Sequence, residues 1–484
     1  MTQPNVLWLV SDHQAFANRG VDTSLFPLQA RLRALGAEFT RAYTVLPICT
    51  PSRASMLTGK YPHAHGLTEN DGRFGGVAEL PGSEPLVHQP FAAAGYRCGW
   101  FGKWHLHHEA SATDHGFEGI SLPGYGYPYG SDAYRDYLSD LQPGPLMAEV
   151  EVPGEACHPP GTQIDLTAQD AWFDYEAGSA ILHGPEEVHE AHFLAYLAQR
   201  WIDGLTPDQP FFARVDTWGP HPPYTVPAGF DAGLGDVPLS GNLTHGLKMR
   251  PGHHRDYRDQ WRKDLRPDAF DWPRLTRRAI EHGILVERAL VKLVDHLADT
   301  GRLDNTIIVF CADHGEAVAS NGGVMNKGSL MVEETLRIPL LIAGPGVLPG
   351  HSYDALTGNI DIAPTLLDLC GLPGLPAAQG RSAAASLRSG KGPAHRQRLM
   401  VEHYGLHVPI LQRGLYAQDW KYVIQGDGFE ELYQLSKDPF EMQNLSGEPA
   451  ASDRLAHMRA QLAEEQSNLG DSDPRLHQIA QTLA

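Results

Sequence analysis

The stretch Val6-Leu7-Trp8-Leu9-Val10-Ser11-Asp12-His13 runs from five apolar residues directly into three polar ones. A near-continuous apolar run of this length is typical of a strand buried on both faces of a mostly parallel sheet. Three further runs end in the same way: 97–101 before Gly102-Lys103-Trp104-His105, 211–215 before Gly219-Pro220-His221, and 306–311 before Asp313-His314-Gly315. Because ligands of open α/β sheets bind beyond the carboxyl ends of the strands, we expect these polar residues to meet at one edge.

Apolar residues with helical spacing lie between these runs, as an α/β fold requires. Residues 279–297 carry Ile280, Ile284 and Leu290 at such spacing and lead into the run at 306–311, as in a crossover unit. Residues 360–369 predict a second apolar helix. We therefore predict an α/β fold with a large mixed, mostly parallel sheet that is flanked by helices.

The composition of the chain changes near residue 375, where an Ala- and Ser-rich stretch begins. Beyond it we predict two strands and a helix, at 414–416, 421–424 and 454–467. We expect a catalytic α/β domain at 1–375 and a smaller C-terminal α+β subdomain at 376–484 with a short antiparallel sheet. Residues 107–272 are rich in Pro, Gly, Tyr, Trp and His with weak periodicity, which predicts long loops that cap the site.

The bulk properties of the 484 residues exclude several classes of partner. The formal charge is −20, from 38 basic and 58 acidic residues, so the basic footprint of a nucleic-acid-binding protein is missing. No stretch approaches the ~20 apolar residues of a membrane helix, and the N-terminus has no basic start before an apolar core. The five cysteines are scattered and odd in number: Cys49, Cys98, Cys157, Cys311 and Cys370. They predict neither a disulfide framework nor a zinc site, and we expect a cytoplasmic protein.

Two Asp-His dipeptides, Asp12-His13 and Asp313-His314, directly follow predicted strands. Alone, such a dipeptide is more commonly a helix cap or a solvated turn. Two of them at one edge of a sheet predict a divalent-metal site with mixed oxygen and nitrogen ligands.

Residues 49–59 read Cys49-Thr50-Pro51-Ser52-Arg53-Ala54-Ser55-Met56-Leu57-Thr58-Gly59. A cysteine alone could be a small buried hydrophobe. This run, however, resembles the signature of the formylglycine-dependent sulfatases of the alkaline phosphatase superfamily. Five further segments are similar to that family in order and spacing: Ser11-Asp12-His13-Gln14, Gly102-Lys103-Trp104-His105, Gly219-Pro220-His221, Asp313-His314-Gly315 and Lys327 with Glu333-Glu334.

The resemblance implies an alkaline phosphatase-like fold and the hydrolysis of small-molecule sulfate esters. It implies that a formylglycine-generating maturation enzyme oxidises Cys49 to an aldehyde, whose hydrate attacks the sulfate and later expels it. It also implies one divalent metal, held by Asp12, His13, Asp313, His314 and the group derived from Cys49.

The remaining site residues are implied in the same way. Arg53, Lys103 and Lys327 would add positive charge where negative charge develops in the transition state. His105 would accept a proton from the hydrate, and His221 or Lys327 would protonate the leaving alcohol. Three residues would contact the substrate: Asn70, His221 and Lys327. For Asn70, turn chemistry is an equally good interpretation.

One residue departs from the family pattern and leaves the substrate and the metal open. Most members carry a second acidic residue where this chain has His13. Ca²⁺, the usual metal of the family, is therefore one candidate, and Mn²⁺ and Zn²⁺ are alternatives. Phosphonate monoester hydrolases also lack that acid, so hydrolysis of phosphonate monoesters or phosphodiesters is an alternative function. A third alternative is a non-catalytic binding protein with this fold. The presence of Cys49 and of both metal-ligating Asp residues argues against it. The sequence leaves a homo-oligomer open.

Overall fold

The computed structural model describes residues 3–14, 20–141, 144–154, 158–168, 178–264, 271–390, 395–406 and 408–473. Its strands are β1 Asn5–Ser11, β2 Gly36–Phe39, β3 Ala42–Tyr43, β4 Arg97–Lys103, β5 Glu118–Leu122, β6 Met147–Val152, β7 Gln163–Asp165, β8 Ser179–Leu182, β9 Phe211–Asp216, β10 Tyr224–Pro227, β11 Thr306–Ala312, β12 Leu340–Ala343, β13 His351–Tyr353, β14 Thr357–Gly358, β15 Arg398–Gly405, β16 Pro409–Ala417, β17 Trp420–Gln425 and β18 Glu430–Gln434. Its α-helices cover Pro27–Leu35, Cys49–Thr58, Pro62–His65, His88–Ala93, Asp132–Leu141, Glu190–Asp203, Gly252–Asp264, Trp272–Asp299, Glu333–Leu336, Ile362–Leu369, Ala384–Ser389 and Ser452–Leu469. Cys157 lies outside the described residues, and the other four cysteines are free thiols.

The largest sheet has eight strands in the order β13-β2-β12-β11-β1-β9-β4-β5. Within the described ranges β12 alone runs against the others, since it pairs antiparallel with both β11 and β2. The four strands predicted from apolar runs are adjacent in the order β11-β1-β9-β4 and are all parallel. The prediction of a large, mostly parallel sheet is confirmed, and four strands end side by side at one edge.

Alternate residues of the central strands enter two separate hydrophobic cores. Leu7 and Leu9 of β1 pack with the helices Glu190–Asp203 and Trp272–Asp299 on one face of the sheet. Trp8 and its neighbours on the other face pack with the helices Cys49–Thr58 and Ile362–Leu369. Because both faces are covered, these strands read as continuous apolar runs in the sequence.

The segment 107–272 is more regular than the sequence predicts, and the expectation of loops is wrong for much of it. It contains a four-stranded sheet in the order β10-β8-β6-β7, together with the helices Asp132–Leu141, Glu190–Asp203 and Gly252–Asp264. These strands have three to six residues, so they are too short to give a strong periodic signal.

The C-terminal part forms the predicted antiparallel sheet, in the order β15-β16-β17-β18, and the helix Ser452–Leu469 packs on it. Tyr43, Val45 and Tyr61 from the first part of the chain belong to the same core. The division at residue 375 therefore stays a prediction. Among the described residues no helix combines the length and apolar character needed to cross a bilayer.

Candidate active site

Four buried side chains converge at the carboxyl ends of β1 and β11. They come from Asp12, Cys49, Asp313 and His314, and one potential ligand atom of each lies within 4.8 Å of the others. Asp12 directly follows β1, and Asp313 directly follows β11, so the pairing of two strands brings the two carboxylates together. The Cys49 Sγ atom lies 3.2 Å from Nε2 of His314 and 3.8 Å from Oδ1 of Asp12.

The hydrogen bonds of His314 orient it as a ligand. Its Nδ1 atom lies 2.9 Å from the carbonyl oxygen of Gly315, which favours a proton on Nδ1. The lone pair of Nε2 then faces Cys49 and Asp12, as in metal-binding histidines whose other nitrogen donates to a carbonyl. Two carboxylates, an imidazole and a cysteine-derived group can therefore hold a divalent cation.

His13, the remaining predicted ligand, is not part of this group. Its Nε2 atom lies 3.4 Å from Oε2 of Glu316, and its ring lies 4.6 Å from the ring of His221. Its backbone has φ of 68° and its N–H donates to Oδ1 of Asp313 at 3.0 Å. The backbone of His13 therefore orients a carboxylate of the group, while its side chain points to Glu316.

Cys49 is the first residue of the buried helix Cys49–Thr58 and is 1% exposed. Burial and the carboxylate of Asp12 both raise the pKa of its thiol. Positive charge on Lys103 and Lys327, and on His314 when it is protonated and not a ligand, outweighs them, and the net pKa is lowered. The sequence predicted a nucleophile at this position, and the position favours an anion.

The buried Arg53 binds carboxylates of the site. Its Nε and Nη2 atoms lie 3.0 and 2.9 Å from Oδ2 of Asp313, and Nη1 donates to Oδ2 of Asp216 at 2.7 Å. Nη1 also donates to the carbonyl oxygen of Lys103 at 3.1 Å. The guanidinium therefore fixes Asp313 and joins three of the parallel strands.

Lys103, the last residue of β4, points at Asp12, and its ammonium contacts Oδ2 of that carboxylate. Burial raises the pKa of Asp12, but this ion pair and other nearby positive charges outweigh burial and hold the pKa well below its usual range. Gly102 lets β4 approach β9 at this point: its φ is 110°, and a Cβ atom there would lie 2.0 Å from the carbonyl oxygen of Asp216. The Lys103 ammonium also lies 3.9 Å from the ring centroid of Tyr125.

His105, His221 and Lys327 surround the four-residue group. Burial, followed by nearby positive charge, lowers the pKa of both histidines well below the usual value, so both are neutral near pH 7. For Lys327 burial lowers the pKa, but the charges of Cys49 and Asp12 outweigh it, and the net pKa is raised. The structure brings two neutral bases and one stable cation to the site.

Asn70 contacts the helix that carries Cys49. Its Oδ1 atom accepts a hydrogen bond from the backbone N–H of Thr50 at 3.2 Å, so it caps the first turn of that helix. This bond joins residues that are distant in sequence and is not the local bond of a turn, and substrate contact by Asn70 stays a prediction.

Sequence reasoning missed two residues below the site, Arg214 and Asp216 in β9. Arg214 donates from Nε and Nη2 to the two oxygens of Asp216 at 2.7 and 3.0 Å, and both residues are fully buried. Charged residues inside an apolar strand are a usable signal, because buried charges are almost always paired.

A parallel α/β sheet with a buried group of metal-ligating side chains at its strand ends defines an ester hydrolase of the alkaline phosphatase type. The chain belongs to the sulfatase family, whose profile matches residues 4–372. A second profile, N-sulphoglucosamine sulphohydrolase C-terminal, matches residues 323–468.

Individual relatives differ in what they act on. An ulvan-active sulfatase of Formosa agariphila is 25% identical, over 97% of this chain and 82% of its own length. A choline-sulfatase of Rhizobium meliloti is also 25% identical, over 92% of this chain and 83% of its own. The solved structure of a phosphonate monoester hydrolase from Silicibacter pomeroyi has a TM-score of 0.71 at 23% identity and covers 96% of each chain, which shows the shared fold.

Proposed function

We propose that this sulfatase hydrolyses sulfate esters with two groups. One is a formylglycine made from Cys49, and the other is one divalent metal ion held by Asp12, Asp313 and His314. The observation that carries the proposal is the position of Cys49 Sγ, which lies 3.2 Å from the ligating nitrogen of His314. The metal would supply Lewis-acid stabilisation of the ester oxygens, and the aldehyde hydrate would supply the nucleophile.

The protein's own residues supply charge and proton transfer around that centre. Lys103 and Lys327 add positive charge where the sulfate oxygens gain negative charge. His105 is neutral and can accept the proton of the hydrate, since its Nδ1 atom makes no hydrogen bond with the described residues.

Of the two predicted general acids, Lys327 fits better. The Nδ1 atom of His221 lies 2.6 Å from the carbonyl oxygen of Pro222, so the one proton of this neutral ring is held there. Lys327 keeps its proton because its pKa is raised. We assign protonation of the leaving alcohol to Lys327, and substrate contact by His221 stays a prediction.

Phosphonate monoesters or phosphodiesters are the second candidate substrates, and the donor set supports their inclusion. His314 adds a nitrogen to two carboxylates, which suits Mn²⁺ or Zn²⁺ better than Ca²⁺. Sulfate monoesters and phosphonate monoesters have similar shape and charge, so one site of this kind can accept both.

Maturation has to precede complete folding. Cys49 is 1% exposed at the start of a fully buried helix, so a maturation enzyme cannot reach the thiol in the folded chain. We infer that the maturation enzyme acts on the unfolded or nascent chain. A cytoplasmic location is part of the same proposal.

The test is turnover of an aryl sulfate and an aryl phosphonate by protein produced together with the maturation enzyme. We expect both to be cleaved, with the sulfate preferred, and expect Cys49→Ala to abolish both. Lys103→Ala should lower kcat by about 10²–10³-fold, because a charge aimed at the transition state is removed. Lys292→Ala, at an exposed lysine far along the chain, is the matched control. A Cys49→Ala protein with undiminished turnover would overturn the proposal.

A further inference from the structure

A cavity rich in aromatic side chains adjoins the site. It has a volume of about 40 Å³. Its walls include four aromatic residues and one acidic residue: Tyr125, Tyr127, Tyr129, Trp218 and Glu190. Cavities of this composition suit a cation, which is attracted to the faces of aromatic rings.

The cavity adjoins the centre described above, because its walls include His221 and Tyr125, the residue whose ring Lys103 contacts. The ring of Tyr125 lies 5.3 Å from the ring of His105 and 5.7 Å from that of His221, and Lys103 lies over it. A substrate whose sulfate group is held beside Lys103 would therefore extend its alcohol portion past Tyr125 into the aromatic cavity.

Glu190 is the acidic residue among the described residues of the cavity wall, and none of these residues is a lysine or an arginine. The residue is 2% exposed, and its Oε1 atom accepts a hydrogen bond from the N–H of Gly219 at 2.9 Å. Its Oε2 atom makes no hydrogen bond of ordinary geometry with the described residues. Burial raises the pKa of Glu190 to about 8, against the lowering effect of the N–H groups of Gly219 and Trp218. A cationic ligand would stabilise the ionised form of this buried carboxyl group.

We propose that this cavity binds a substituted ammonium group, so that the substrate is a zwitterionic sulfate ester of an amino alcohol. The inference rests on the proposed function. The anionic sulfate lies at the cationic centre around Lys103, and the ammonium group lies between the aromatic rings and Glu190. The two ends of the substrate thus meet opposite charges.

The cavity is large enough for a small cationic group. About 40 Å³ accommodates about three water molecules, which matches a methylated ammonium group. A neutral aryl group would use the aromatic walls but would leave the Oε2 atom of Glu190 without a hydrogen bond to the described residues.

The experiment compares two sulfate esters of nearly the same shape, choline O-sulfate and 3,3-dimethylbutyl sulfate, in which a carbon atom replaces the ammonium nitrogen. Turnover of an aryl sulfate is measured alongside and reports the basic activity. For the unaltered enzyme we expect kcat/KM for choline O-sulfate to exceed that for 3,3-dimethylbutyl sulfate by at least about tenfold. Glu190→Gln should reduce this ratio toward one, mainly through KM.

The control is Glu187→Gln, the same substitution at a residue near Glu190 in sequence whose side chain is 46% exposed. It should leave the ratio unchanged. A ratio near one in the unaltered enzyme, with the aryl sulfate still cleaved, overturns the ammonium assignment and needs no variant to fold. If no sulfate ester is cleaved by formylglycine-containing protein, the proposed function itself fails.

Discussion

At the scale of single residues, the Arg214 guanidinium lies between two indole rings, 4.3 Å from the ring centroid of Trp8 and 4.5 Å from that of Trp100. It holds Asp216, and Asp216 in turn binds Arg53, which fixes Asp313. The position of a metal-ligating carboxylate thus depends on an ion-pair chain that begins below the site.

Arg214→Met should therefore weaken both folding and catalysis. Removing one partner of a buried ion pair costs about 3–5 kcal/mol, because a charge is left without compensation. We expect a lower free energy of unfolding by urea denaturation, together with a fall in kcat that exceeds any change in KM. Arg200→Met, at an exposed arginine over Tyr196, serves as the control and should change neither. Equal stability of the two variants would contradict this chain of ion pairs.

The pH dependence of substrate preference follows from Glu190. Below about pH 8 this carboxyl is protonated in the free enzyme, so a cation has to displace the proton before it binds. His189, His221 and His282 share the cavity. Burial lowers the pKa of His282 to about 3 and the pKa values of His189 and His221 well below the usual value, so all three are neutral near pH 7. The N–H groups of Gly219 and Trp218 also face Glu190 but do not titrate.

We expect the kcat/KM ratio of choline O-sulfate to 3,3-dimethylbutyl sulfate to rise from pH 6 to pH 8 and to level above that. Effects of pH on the metal and the nucleophile act on both esters and cancel in the ratio. In Glu190→Gln the ratio should be independent of pH. A ratio that falls with increasing pH would contradict binding of the ammonium group by ionised Glu190.

Sequence reasoning identified the side chains whose positions follow from strand ends. Asp12, Lys103 and Asp313 each end or follow a strand, so topology alone brings them together. It did not anticipate the φ of 68° at His13, whose Nε2 atom lies 3.4 Å from Oε2 of Glu316. A local torsion of this kind leaves no pattern in the sequence.

At the scale of elements, the site depends on how closely β4 approaches β9. Gly102 precedes Lys103 at φ of 110°, a conformation that side chains with a Cβ atom rarely adopt. The last residue of β4 can therefore point its ammonium at Asp12 while the strand stays paired.

Gly102→Ala should separate these strands, because the new methyl group would lie 2.0 Å from the carbonyl oxygen of Asp216. We expect a loss of at least about 3 kcal/mol in unfolding free energy and a kcat reduced in step with the displacement of Lys103. Gly82→Ala is the matched control, since no heavy atom lies within 4 Å of the added methyl. An unchanged melting temperature and kcat in Gly102→Ala would show that the close approach is unimportant.

The segment 107–272 shows where element prediction fails. β6 alternates between buried and half-buried positions over six residues, and its partners β7 and β8 are shorter still. Such strands are specified by pairing partners that are distant in sequence, so a local pattern cannot reveal them. The central strands, which are mostly apolar, were predictable because strands buried on both faces give near-continuous apolar runs.

At the scale of the whole molecule, a chain with a formal charge of −20 concentrates buried cations at one edge of its largest sheet. Arg53, Lys103 and Lys327 offset the carboxylates of Asp12 and Asp313. The fold should therefore tolerate loss of the metal, since the ligand carboxylates keep cationic partners.

Removal of the metal by a chelator should abolish turnover and leave the circular dichroism spectrum unchanged. The melting temperature should fall, and it should recover with added metal in a concentration-dependent way. With two carboxylates and an imidazole as ligands, we expect Mn²⁺ or Zn²⁺ to restore activity at lower concentration than Ca²⁺. Full turnover at a metal content far below one ion per chain would contradict the metal site.

The central claim is that Cys49 is the precursor of the nucleophile. It is tested most directly by the mass of the peptide covering residues 41–60, from protein produced with the maturation enzyme and shown to cleave an aryl sulfate. We expect the mass of the aldehyde at Cys49. The fraction of peptide that carries the aldehyde should increase with the specific activity from one preparation to the next. Full activity in a preparation whose Cys49 is entirely unmodified thiol would contradict it.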